Sequence, residues 1–63
     1  MKAYRFAKWV CRQRPEFMIT RHSDGTYTVT EGMRVLGNSR RFADAKATAE
    51  GRLVQMQYTW SKQ

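Results

Sequence analysis

A single cysteine, a single histidine and a single proline occur in 63 residues, and each scarcity closes off a class of explanation. Cys11 has no partner for an intramolecular disulfide, so a reducing, cytoplasmic compartment is the expectation. A structural zinc site takes four ligands and a catalytic one three with an open position. Cys11 and His22 supply two, so neither a metal nor another cofactor is expected. Nothing in their spacing joins them as nucleophile and base, and a core thiol with a strand-end imidazole accounts for both. Carboxylates are also few and scattered: Asp24 and Glu31 fall at turn tips, Asp44 and Glu50 on a helix. No glycine-rich phosphate loop follows a buried strand, and the chain reads as a non-enzyme. Long apolar runs are missing too. Lys8 and Arg12 interrupt the amino-terminal segment, which argues against a signal peptide or a membrane span.

What the sequence does have is a repeated turn grammar. In "SDGTYTVTEG", Ser23 to Gly32, two triplets end in glycine and threonine occupies alternate positions. Side chains of a strand alternate between faces, so register decides which of them are buried. A three-residue loop Ser23-Asp24-Gly25, with glycine in the left-handed position, sets Ile19 opposite Val29, Arg21 opposite Tyr27 and Thr20 opposite Thr28. The same loop at Thr30-Glu31-Gly32 sets Met33 opposite Val29, Arg34 opposite Thr28 and Val35 opposite Tyr27. A three-stranded antiparallel meander over residues 16–36 follows. Its buried face holds Phe17, Ile19, Tyr27, Val29, Met33 and Val35. The other face holds Met18, Thr20, His22, Thr26, Thr28, Thr30, Arg34 and Leu36.

Phe42, Ala45, Ala49, Leu53, Met56 and Trp60 recur at intervals of three and four, the stripe of an amphipathic helix over residues 43–59 that covers the sheet. Asp44 is the expected N-cap, with Ser39 as an earlier alternative. Over residues 1–14, Ala3, Phe6, Ala7, Val10 and Cys11 fit one helical face and Lys2, Arg5, Lys8 and Arg12 the other. A strand would group Tyr4, Phe6, Lys8 and Val10, which is less consistent, and Pro15 ends the segment. The expected fold is therefore α+β: a short basic N-terminal helix, a three-stranded antiparallel meander and a C-terminal helix, in one small domain spanning residues 1–63. A chain of this length buries only about 60% of its unfolded surface, so a monomer of modest stability or a weak homodimer is expected.

Charge is the strongest signal. Twelve Lys and Arg stand against five Asp and Glu, for a net +7. Lys2, Arg5, Lys8, Arg12, Arg14 and Arg21 share the first third with Glu16 as the only carboxylate, and Tyr4 and Trp9 lie among them. Cations beside aromatics suit phosphates and bases. Arg40 and Arg41 precede the second helix, where free amides also favour an anion, although Asp44 competes for that place. Thr28 and Arg34, on an exposed sheet face, have groups that hydrogen-bond to base edges in a major groove. Threonine is equally a good strand former on any solvated face.

The α-β-β-β-α order, with "RVLGNSRRFADAKATAEGRL" as final strand, basic turn and alanine-rich helix, resembles the double-stranded-RNA-binding-type fold. That resemblance implies phosphate contacts by Ser39, Arg40 and Arg41. The stretch from Phe17 to Met56 is similar to the arm-binding domain of phage tyrosine integrases, which implies DNA contact by the sheet and a phage-type regulatory or recombination accessory role. The expected partner is nucleic acid, DNA ahead of RNA. The rival is a protein-interaction module such as a phage-type inhibitor of a host protein, supported by Met18 and Leu36 on the outer face, by free sheet edges and by Trp9 and Trp60.

Overall fold

The computed structural model describes residues 3–53 and 57–63. Four strands come first: β1 (Ala7–Cys11), β2 (Phe17–Arg21), β3 (Tyr27–Glu31) and β4 (Arg34–Ser39). One helix, α1 (Phe42–Glu50), and a short strand, β5 (Trp60–Lys62), complete the order. The sheet is antiparallel throughout, with strand order β4-β3-β2-β1-β5. The fold is α+β as expected, but four strands, not three, precede the helix.

Within the segment expected to form a basic amphipathic helix, Ala7–Cys11 are instead strand β1. Its apolar residues satisfy both periods over so short a run, and tertiary pairing decides between them. β1 pairs with β2 on one side and β5 on the other, so its backbone groups are satisfied along both edges. Ala7 and Cys11 are buried, Trp9 packs against the core, and Lys8 alternates outward. Pro15 follows Arg14 in a turn closed by the Phe17 amide donating to the Arg14 carbonyl at 2.9 Å. Proline presets φ at that turn position. It therefore joins two strands where a helix end was expected.

The first hairpin has the expected register, with Ile19 opposite Val29, Thr20 opposite Thr28 and Arg21 opposite Tyr27. Gly25 takes φ +88. Asp24 Oδ1 accepts from the Thr26 amide at 2.9 Å and its hydroxyl at 2.6 Å, which fixes the three-residue loop. The second hairpin differs. Glu31 pairs with Arg34, leaving a two-residue loop of Gly32 and Met33. Gly32 takes φ +59, the positive value that a type II′ hairpin requires at its first loop position. This register brings opposite charges across the ladder. A bulge between Val29 and Thr30 absorbs Leu36 and then sets Gly37 opposite Val29 and Asn38 opposite Thr28. Met33 and Val35, expected in the core, are 102% and 60% exposed. Leu36, expected on the outer face, packs against the core in their place.

The helix is shorter than its stripe suggested. Arg41 is the N-cap, with no side-chain cap bond, and Asp44 lies in the first turn, where its charge favours the helix N-terminus. Neither Asp44 nor Ser39 caps. Gly51 ends the helix, its amide donating to the Ala47 carbonyl at 2.9 Å. Trp60 belongs to β5, where its indole N–H donates to Glu50 Oε2 at 3.0 Å. Met56 lies outside the described residues.

α1 lies over β3 and β4 and reaches β2. Ala45 and Ala49 are fully buried, and with Cys11, Phe17, Ile19, Val29 and Leu53 they make the core. Alanine on the contact face lets the helix approach closely. Burying a Val, Ile or Phe side chain contributes about 1.5–3 kcal/mol, so Phe17, Ile19 and Val29 are the main apolar contribution. Trp9, Tyr27 and Phe42 close one end of this layer, with ring centroids 4.8 to 6.1 Å apart.

Candidate nucleic-acid interface

α1 covers one side of the sheet, and among the described residues no helix crosses the other. The register places Lys8, Thr20, Thr28 and Asn38 in one row of this bare face, strand by strand from β1 to β4. Val10, Met18, Thr30 and Val35 form the adjacent row. The bare face is thus polar toward the Ser23–Gly25 loop and more apolar toward the Gly32–Met33 loop.

The polar half is held by a chain of side-chain hydrogen bonds. His22 Nε2 lies 2.6 Å from Thr28 Oγ1, and Thr28 Oγ1 donates to Asn38 Oδ1 at 2.7 Å. A hydroxyl has one proton. With that proton on Asn38, the His22 contact requires the proton on Nε2, so Nδ1 is left as an acceptor in the neutral ring. Asn38 keeps its amide N–H groups for solvent or a ligand. β3, β4 and the residue that follows β2 therefore present one orientation-fixed set of donors and acceptors.

The expected site residues separate in space. Lys2 lies outside the described residues. Lys8 is on the bare face, its ammonium 5.6 Å from the centre of the Phe6 ring. Arg5 and Arg12 flank β1 and are exposed. In an extended chain they stand about 23 Å apart, a spread line where a helical stripe was expected. Arg14 is occupied: its guanidinium donates to Glu16 Oε2 at 2.6 and 2.7 Å. That hydrogen bond holds the Glu16 carboxyl below its ordinary value and Arg14 above its own. Arg34 is exposed at the start of β4 opposite Glu31, not opposite Thr28. Arg41 caps α1, and Arg40 lines a groove with Tyr4, Asp24, Gly25 and Thr26.

Arg21 and Lys62 are drawn to the covered side, 5.6 and 6.0 Å from the Trp9 ring. Arg21 also donates to the Arg5 carbonyl at 2.8 Å. Among the described residues the ion pair is Arg14–Glu16, so most of the net charge has no internal counterion. Sequence reasoning missed Asn38 and underrated His22. Asn38 follows from the bulge, which the residue pattern did not announce. The His22–Thr28 diagonal was available from the first hairpin's register.

Trp9 and Trp60 both pack against the core and so offer less to a partner than their exposure in terminal helices would have done. Among the described residues no group of three His, Cys, Asp or Glu is placed to hold a metal ion, and no helix is long and apolar enough to cross a membrane. No family model, curated protein or solved structure matches the chain.

Proposed function

We propose that the protein is a nucleic-acid-binding module that meets DNA with the bare face of its sheet. The observation that carries this reading is the joint presence of an uncovered, hydrogen-bonding sheet face and a +7 charge that the fold leaves largely uncompensated. Phosphate attraction supplies affinity, while groups on base edges supply preference. Five strands span about 19 Å between outer axes, wider than the roughly 12 Å major groove of B-DNA. The β2–β4 portion spans about 10 Å and fits. It carries Thr20, His22, Thr28 and Asn38, with Lys8 at its margin and Arg40 beside its loop end. Asparagine bonds adenine through N6 and N7, and Asn38 is the residue on this face suited to that contact. The deep, narrow major groove of A-form RNA does not admit side chains, which favours DNA.

Binding to duplex DNA, single-stranded DNA and duplex RNA over a salt series is the test. The expected result is duplex-DNA affinity whose logarithm falls linearly with log salt, and an Asn38→Ala variant with weaker sequence preference. Salt-independent or absent binding to all three would remove the reading.

A second reading, a protein-interaction surface, is favoured by the apolar row of Val10, Met18 and Val35 with Met33 fully exposed at the adjoining loop. Its sign would be a partner retained from lysate after nuclease treatment and released by Met33→Ser with Val35→Thr.

A further inference from the structure

At the corner where β2 turns into β3, a half-open groove of about 470 Å3 is walled by Tyr4, Asp24, Gly25, Thr26 and Arg40. Small-ligand sites run about 300–1,000 Å3. The walls differ in chemistry. The Tyr4 amide donates to the Ser23 carbonyl at 2.9 Å, and its ring lies so close over Gly25 that a β-carbon there would sit 2.6 Å from Cε2. Tyr4 is 51% exposed, so its ring is a flat surface platform rather than a core aromatic. Asp24 is oriented by its two hydrogen bonds from Thr26. These bonds, the hydroxyl's first, hold its carboxyl below the ordinary value, so it is ionised at neutral pH and its second oxygen is available to a donor. Arg40 supplies a guanidinium to the same groove. Opposite charges that share one groove ordinarily meet, yet among the described residues Asp24 and Arg40 form no ion pair.

We propose that this groove binds a guanine base, stacked on Tyr4, with Asp24 accepting from its Watson–Crick edge and Arg40 donating to its Hoogsteen edge. The proposal deepens the nucleic-acid reading, on which it rests, by naming what one corner of the surface takes. Guanine presents two donors, N1–H and N2–H, beside two acceptors, O6 and N7. A carboxylate and a guanidinium on separate walls match those two edges. Adenine offers a donor at N6 where the guanidinium needs an acceptor, and cytosine offers the carboxylate one donor where guanine offers two. Stacking on an aromatic face is tolerant of base identity, so Tyr4 adds affinity and the two charges add choice. A free guanine nucleotide and an unpaired guanine in a strand present the same base.

Amide spectra of the 15N-labelled protein during titration with GMP, AMP, CMP and inorganic phosphate test the idea. GMP is expected to shift Gly25, Thr26 and the Arg40 Nε–H, with AMP and CMP weaker by about tenfold or more and phosphate leaving Gly25 and Thr26 in place. Asp24→Asn keeps an oxygen for the Thr26 bonds but turns a donor toward guanine. It should abolish the preference for GMP while the spectrum elsewhere shows an intact fold. A duplex with one unpaired 3′ guanine, compared with one ending in unpaired adenine, distinguishes the sources: tighter binding of the guanine end assigns a strand, and GMP binding without it assigns a free nucleotide. Equal shifts from GMP and AMP, or none from GMP at millimolar concentration, overturn the proposal. Plain duplex DNA, run in parallel, shows whether the broader reading stands, since its salt-dependent binding does not need the groove and should survive Asp24→Asn.

Discussion

The two faces of the sheet are built from the same strands and differ in what fixes them. On the covered face Ile19 and Val29 are fully buried under Ala45 and Ala49, and position is set by packing. On the bare face Thr28 sits between His22 and Asn38, and position is set by hydrogen bonds that water can replace. Stability should reside in the first face and recognition in the second. The alternating strand period makes the division possible, because a residue can be changed on one side with little disturbance of the other.

The sharpest break in that comparison is expected from Ile19→Ala, which should lower unfolding free energy by about 2–5 kcal/mol in a urea titration. Its bare-face neighbour Thr20→Ala should cost far less. A bare-face variant as destabilising as Ile19→Ala would mean that the open side is structural. Next come the two turn glycines. Gly25→Ala combines positive φ with a clash against Tyr4 and should cost about 1–3 kcal/mol. Gly32→Ala has open space around it and should cost about 1 kcal/mol from backbone strain alone, the low end of the range for a non-glycine residue at positive φ. Equal destabilisation by the two would deny Tyr4 its place on the loop.

Charge variants sharpen the comparison from the functional side. Lys8→Gln or Arg12→Gln should shallow the salt dependence of duplex binding by about 0.9 for each phosphate no longer neutralised. Lys62→Gln, held over Trp9 on the covered side, should leave the slope unchanged. The smallest effect is on acid stability. Asp24 and Glu16 both have depressed carboxyl values in the folded chain, through Thr26 and Arg14 respectively. Their contributions are complete above the ordinary values of 3.8 and 4.5 and disappear as pH falls through the folded values. Asp24→Asn with Glu16→Gln should flatten the acid limb of a stability–pH curve and leave the neutral region parallel to the parent.

Much of the first hairpin was legible because its determinants are local: Asp24 bonds two residues ahead and Gly25 supplies the turn's positive φ. The second hairpin shares the same triplet pattern but not the same mechanism. Glu31 stays in the strand opposite Arg34, and the bulge that follows sets Gly37 across from Val29 and turns Leu36 toward the core. No local rule shows that. The strand character of β1 was hidden for a similar reason, since Ala7, Trp9 and Cys11 reveal their alternation only when β2 and β5 lie on either side. The candidate site suffered in consequence. Lys8 was legible, but as part of a helix; Arg34 was set opposite Thr28, where the bulge brings Asn38.

The place of β5 bears on the order in which the chain assembles. β1 to β4 form successive hairpins, each closing a short loop. The β5–β1 seam instead joins Trp60 to Cys11 across nearly the whole described sequence, and longer loops cost more entropy to close. The seam is expected to form late and to open first, by a partial excursion that leaves the meander intact. Cys11 is 0% exposed while the seam is closed. A thiol reagent therefore serves as a clock for that opening: labelling at a rate above that of global unfolding would time the seam, and labelling at the global rate would show that β5 leaves only when everything does.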